Sequence, residues 1–222
     1  MIDDLGGLDL NITQGEMNQI NKYKKDVDGV TGKNTPNVTQ YGLVHLDGTQ
    51  ATTYARIRKL SGDDFKRASR QRIVLQAMLE KAKKANPATL VKICNSMVDD
   101  ISTTLSLDQM VSLAKDVTKY KISSTTGFPT DLTTKNMPRC GDTVIPADLV
   151  TNVKKLHEYM FDDAAYTPSQ TVQAISETIV NTTGITADSA KINTSDYNET
   201  VGATGTDEIQ KGSETTGGTN VQ

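Results

Sequence analysis

The chain has 222 residues, with 24 Lys and Arg against 27 Asp and Glu, a formal net charge of −3, 36% hydrophobic residues and no Trp. No run of about 20 apolar residues occurs in it, which excludes a membrane-spanning helix within these residues. The acidic balance argues against a general nucleic-acid binder, and two cysteines, Cys94 and Cys140, allow at most one disulfide and give no Cys/His spacing for a metal.

Residues 5–12, LGGLDLNI, alternate apolar and polar after a glycine pair and read as a short strand. Residues 13–40 are polar and rich in Asn, Lys, Gly and Thr, with short helical stretches conceivable near Met17 to Tyr23. They predict a mobile excursion, either lying over a ligand or forming a plain surface loop. Leu43 to Leu46 comes next, and Asp47 with Gln50 three residues on makes a capping box that starts a helix through Ala55. Arg56 and Arg58 then fall at or just past a helix end. Gly62, Asp63 and Asp64 mark a turn and an N-cap, and the helix that follows offers Val74, Leu75, Met78, Leu79 and Ala82 for burial. Asp63 and Asp64 have a second reading, as carboxylates that orient the neighbouring arginines.

Residues 87–104 carry a helical period at Leu90, Ile93, Cys94, Met97, Val98 and Ile101, and Leu107 to Val117 carry another, capped at Ser106. Both predict helices packed for burial. Cys94 lies on the first of these stripes, so packing as a small hydrophobe competes with a disulfide to Cys140. Tyr120 to Thr134 reads as extended, Thr143 to Ile145 as a strand, and Ala147 to Phe161 as a helix. Residues 167–186 add a short helix and an extended piece, and 187–222 form a Thr/Gly/Ser/acidic tail with the composition of a disordered segment. His45 and His157 are read as structural, His45 because it sits in an apolar segment without an evident partner.

The functional signal is concentrated between Tyr54 and Arg72. Arg56, Arg58, Lys59, Lys66, Arg67, Arg70 and Arg72 stand there against only Asp63 and Asp64, a formal +5 within an acidic chain. Arginine stays ionised, and its planar fork holds phosphate or carboxylate oxygens in pairs, so the stretch suggests a site for a fixed polyanion, first of all a phosphate. On the helix, Arg67, Arg70 and Gln71 at i, i+3 and i+4 share a face near the N-terminal end, where the free N–H groups and the dipole also favour anions. The competing reading is a solvated basic face without a ligand.

The run HLDGTQATTYARIRK, followed by DDFKRASRQRIVLQAM, resembles the signature of the LytR–CpsA–Psr (LCP) family, also called the cell envelope-related transcriptional attenuator domain. DDLGGLDLNI upstream and CGDTVIPADLVTNVKKLHEYMF downstream resemble further family segments, so the likeness covers about residues 2–162 and is strongest at 43–75. The resemblance implies an α/β fold, an α-β-α sandwich with a mixed central sheet. It divides the chain into a partial LCP domain at 1–166, an extension at 167–186 and the tail at 187–222. It implies a cell-envelope phosphotransferase that moves a glycopolymer phosphate from a polyprenyl pyrophosphate-linked glycan to peptidoglycan, on the extracytoplasmic face of the bacterial membrane. Position by position, Arg56, Arg58 and Arg67 match residues implied to be catalytic, and these with Arg70 and Gln71 match those that hold the pyrophosphate. Mg²⁺ is the implied cofactor. Its ligands and a membrane-spanning helix are expected in an N-terminal part of the domain lying upstream of these residues, and no metal ligand is assigned within them. Two other readings stay open: a non-catalytic polyprenyl-phosphate-binding or regulatory module and, least supported, a nucleic-acid binder.

Overall fold

The computed structural model describes residues 1–58, 63–97 and 102–197. It is α/β, with seven α-helices and two small sheets among these residues, and the chain divides into two compact units, with the boundary between Lys119 and Tyr120. Both sheets are antiparallel throughout, where the resemblance implies a mixed central sheet.

In the first unit, strand β1 (Leu8–Ile12) pairs with β2 (Gly42–Leu46), Leu8 opposite Leu46 and Leu10 opposite Val44. The period-two alternation is clean: Leu8, Leu10, Ile12, Val44 and Leu46 are buried, while Asp9, Leu43 and His45 face outward. Helices α1 (Gln14–Thr31), α2 (Gly48–Arg56) and α3 (Asp63–Lys84) supply the rest of the core through Ile20, Ala51, Tyr54, Ile73, Val74 and Ala77.

Helix α1 corrects the sequence reading of 13–40 as a mobile excursion. Thr13 and Glu16 form a full capping box, the Glu16 N–H bonding to Thr13 Oγ1 at 3.2 Å and the Thr13 N–H to Glu16 Oε2 at 2.9 Å. Eighteen residues of helix follow, closed by Gly32 in the left-handed conformation. The helical period was hidden because three of its five buried positions are charged: Glu16, Lys24 and Asp28 lie inward beside Ile20 and Val27. The loop that returns to β2 is tied down by the polar face of the same helix. Asn21 bonds both the N–H and the carbonyl of Val38 at 2.8 Å, Asp28 accepts from the N–H and hydroxyl of Thr35, and Lys24 donates to the Thr35 carbonyl. Backbone groups that no sheet satisfies are thus satisfied by side chains.

Helix α2 begins at the predicted capping box, with the Gln50 N–H bonding to Asp47 Oδ1 at 2.8 Å and the Asp47 N–H to Gln50 Oε1 at 3.0 Å. The Gly48 N–H at its first turn donates to Asp3. Helix α3 buries Ser69, Arg70, Ile73, Val74 and Ala77. Leu75, expected in the core, is 60% exposed, because the buried stripe includes two polar residues that displace its phase from the purely apolar pattern. Helices α4 (Pro87–Met97) and α5 (Leu107–Lys115) follow, and the Ser106 capping box is present. Ile93 is buried, Leu90, Cys94, Met110, Ala114 and Val117 are half-buried and Val111 is exposed, so these helices pack less deeply than their periodicity suggests. The cap or orienting roles read for Asp63 and Asp64, the burial of Met97, Val98 and Ile101, and the tail from residue 198 all lie outside what the structure describes.

The second unit has a three-stranded sheet in the order β4 (Gly141–Pro146), β3 (Asp131–Met137), β5 (Ile192–Asn193), with α6 (Leu149–Phe161) and α7 (Gln170–Thr183). Asn152 on α6 is fully buried and bonds the N–H and carbonyl of Asp131 at 2.9 Å each. Residues 187–197, read from composition as part of a disordered tail, are ordered against β3: Asn193 Nδ2 donates to Asp131 Oδ1 at 2.7 Å, and Thr194 is buried with its N–H on the Thr130 carbonyl. A short pairing and two specific polar contacts outweigh the composition there. His157 stacks on Tyr166, in keeping with a structural role, and both cysteines are free.

Candidate anion-binding site

The C-terminal end of α2 is where the basic stretch meets the fold. The helix ends at Arg56, and the Ile57 N–H closes it on the Tyr54 carbonyl at 3.2 Å. Ile57 has an extended conformation, with φ −58° and ψ 127°, and its side chain enters the core at 3% exposure. Side chains alternate about an extended residue, so burying Ile57 turns both Arg56 and Arg58 outward, and both are exposed.

Between them and α1 lies a cavity of about 180 Å³, walled by Tyr23, Asp26 and Val27 on α1, Thr53 and Arg56 on α2, and Ile57 and Arg58 beyond it. That is below the roughly 300–1,000 Å³ of pockets that enclose a whole small molecule, and it suits a head group rather than an entire ligand. Two arginines in its lining are of the residue type that donates to anions in pairs, with Asp26 the one acidic residue in its described wall.

The other candidate residues are on α3. Arg67 is half-buried and Gln71 exposed, one turn apart, and neither is among the described residues lining the cavity. Arg70 is drawn inside. Its side chain is 3% exposed, its Nε donates to Glu16 Oε1 at 2.7 Å, and its Nη1 lies 3.4 Å from the Ile57 carbonyl oxygen. The structure therefore brings Arg56 and Arg58 to one cavity and ties Arg70 to the backbone between them.

Sequence reasoning missed Glu16, Tyr23 and Asp26, because their segment read as a loop. The Thr13-x-x-Glu16 spacing was the available signal for a helix there. His45, taken to lack a partner, has one: its Nδ1 is 2.8 Å from Asp9 Oδ1, and Asp9 Oδ2 is 2.8 Å from Lys81 Nζ. These three side chains meet on the outer face of the β1–β2 pair. Among the described residues, no group of three or more His, Cys, Asp or Glu side chains is arranged to hold a metal ion, and no helix is long and apolar enough to cross a membrane.

Comparison with known proteins gives a family match: the model of the LytR_cpsA_psr family covers residues 1–137, a span containing the described residues of the first unit and the strand β3. No curated protein matches the chain.

Proposed function

The chain belongs to the LytR–CpsA–Psr family, whose match takes in well over half of its 222 residues, and from that membership we propose that it acts in cell-envelope glycopolymer assembly as a phosphotransferase. Its donor is a polyprenyl pyrophosphate-linked glycan, its acceptor a hydroxyl of peptidoglycan, and its place the extracytoplasmic face of the membrane. The observation that carries this reading is the cavity edged by Arg56 and Arg58 within the matched residues.

Phosphoryl transfer is mostly a matter of positioning and neutralising charge. Arg56 and Arg58 hold the pyrophosphate oxygens, Arg67 adds a third positive charge, and Gln71 offers an amide donor. These groups stabilise charge as it builds on the bridging oxygen: the acceptor hydroxyl oxygen attacks the glycan-bearing phosphorus, the bond from that phosphorus to the bridging oxygen breaks, polyprenyl phosphate leaves with the electron pair, and the hydroxyl proton passes to water. The described residues do not assemble a site for the implied Mg²⁺.

The test is transfer of a labelled glycosyl phosphate from a polyprenyl pyrophosphate donor to peptidoglycan. Arg56→Ala and Arg67→Ala should each lose about 2–4 kcal/mol of transition-state stabilisation. Undiminished transfer in both would refute the clamp. Donor binding by the parent chain without turnover in any form would favour the non-catalytic polyprenyl-phosphate-binding reading.

A further inference from the structure

The burial of Arg70 calls for a different role from that of its neighbours in the motif. A guanidinium that grips a diffusible pyrophosphate must present its donors to the ligand, whereas this one is 97% covered and its Nε is committed to Glu16. Glu16 is equally committed. One carboxylate oxygen takes the Arg70 Nε–H, the other takes the Thr13 N–H, and the residue is 6% exposed. From the same guanidinium, Nη1 reaches the carbonyl of Ile57, the residue whose burial turns Arg56 and Arg58 toward the cavity. Three parts of the fold therefore meet at one buried ion pair: the first turn of α1, the body of α3, and the backbone between the two exposed arginines. The cavity is walled by the later turns of that same α1 and by that same backbone.

We propose that Arg70 and Glu16 are positioning residues, a buried ion pair that fixes the Arg56–Ile57–Arg58 segment against α1 and so sets the spacing of the anion-binding arginines. The inference rests on the phosphate-clamp reading above, but its structural part can be tested without any ligand. Two measurements on the full chain separate them: amide hydrogen exchange at Ile57, compared with strand β1, and calorimetric titration with inorganic pyrophosphate.

Three variants carry the test, with Arg56→Ala as the reference for direct ligand loss. Glu16→Gln keeps a residue suited to the capping box, but its single amide oxygen cannot serve both Thr13 and Arg70. Arg70→Lys keeps the charge while losing the fork that spans Glu16 and Ile57. Thr13→Ala weakens the N-cap of α1 and leaves the ion pair in place, so it reports what simple destabilisation does. The expected result is that Ile57 exchanges about tenfold faster relative to β1 in Glu16→Gln and Arg70→Lys, the scale of one lost hydrogen bond to a charged group, and is unchanged in Thr13→Ala. Pyrophosphate affinity should fall by a similar factor in Glu16→Gln, although that change removes a negative charge and would by electrostatics alone tighten anion binding. Unchanged Ile57 exchange in both ion-pair variants overturns the proposal. So does tighter pyrophosphate binding in Glu16→Gln together with a loss in Arg70→Lys as large as in Arg56→Ala, because Arg70 would then be touching the ligand. If the unaltered chain binds no pyrophosphate, the clamp reading fails, and the exchange result alone decides whether the ion pair fixes the segment.

Discussion

A methyl group at Gly7 would stand against the His45 ring and 2.8 Å from the Leu46 carbonyl oxygen, on a backbone whose φ is +77°. The ring can turn away, but the carbonyl belongs to the β1–β2 ladder and cannot, and the backbone itself disfavours any side chain there. Gly7→Ala should therefore lower stability by about 1–3 kcal/mol, and urea unfolding indistinguishable from that of the parent would contradict the close approach. Two residues along, Lys81 and then His45 hold the Asp9 carboxyl below its ordinary value. A carboxylate depressed in the folded state adds stability that is complete above its unfolded value near about 4 and is lost as the pH falls through the lower folded one. Lys81→Met should accordingly be less stable than the parent at pH 7, with the two converging as the pH falls through the depressed Asp9 value. A difference that persists unchanged in acid would mean that Lys81 contributes through packing of its stem rather than through Asp9.

Among the elements, the strands were the most legible and the long helices the least. The alternation in LGGLDLNI marked a strand, and Leu10 is fully buried in it, whereas residues 43–46 read only as an apolar segment and the pairing with β1 decided that Leu43 lies outward at 73% exposure. Leu10→Ala should cost about 2–5 kcal/mol and Leu43→Ala less than about 0.5, measured as shifts in the urea midpoint at constant slope. A large cost at Leu43 would mean that its outward face is covered. Helices α1 and α3 were harder because each buries charge. A stripe containing Glu16, Lys24 and Asp28, or Ser69 and Arg70, does not register as apolar, yet its four charged members pair with one another or with the loop at Thr35 and so can be buried. The capping boxes at Thr13, Asp47 and Ser106 all formed. Short-range hydrogen bonding of this kind depends on residues three apart and survives whatever the tertiary context does.

For the molecule as a whole, the formal charge of −3 coexists with a +5 stretch of which two arginines, Arg56 and Arg58, line one cavity. Attraction of an anion to exposed arginines is screened over about 10 Å at 0.1 M salt. Pyrophosphate affinity should therefore decline steadily as sodium chloride rises from about 0.05 to 0.5 M, and an affinity indifferent to salt would argue for a site held together by other contacts. The family match at residues 1–137 passes through the boundary between the two units and ends with β3, so family membership alone did not reveal where the compact units divide.

Local chemistry was readable without coordinates: the α/β class, the capped start of α2, the placement of Arg56 and Arg58 at its end, and the concentration of guanidinium groups that carries the family resemblance. Each depends on residues a few positions apart, whose geometry the chain imposes on itself. Only the tertiary structure decided that Arg70 turns inward to Glu16, 54 positions away, that Tyr23 and Asp26 wall the cavity with Arg56 and Arg58, and that residues 192–193 return to pair with β3. A buried ion pair, a cavity wall and an edge strand are each made by partners distant in the chain. Whether a charged or polar residue is solvated or enclosed depends on what packs over it, and its own type and spacing do not say.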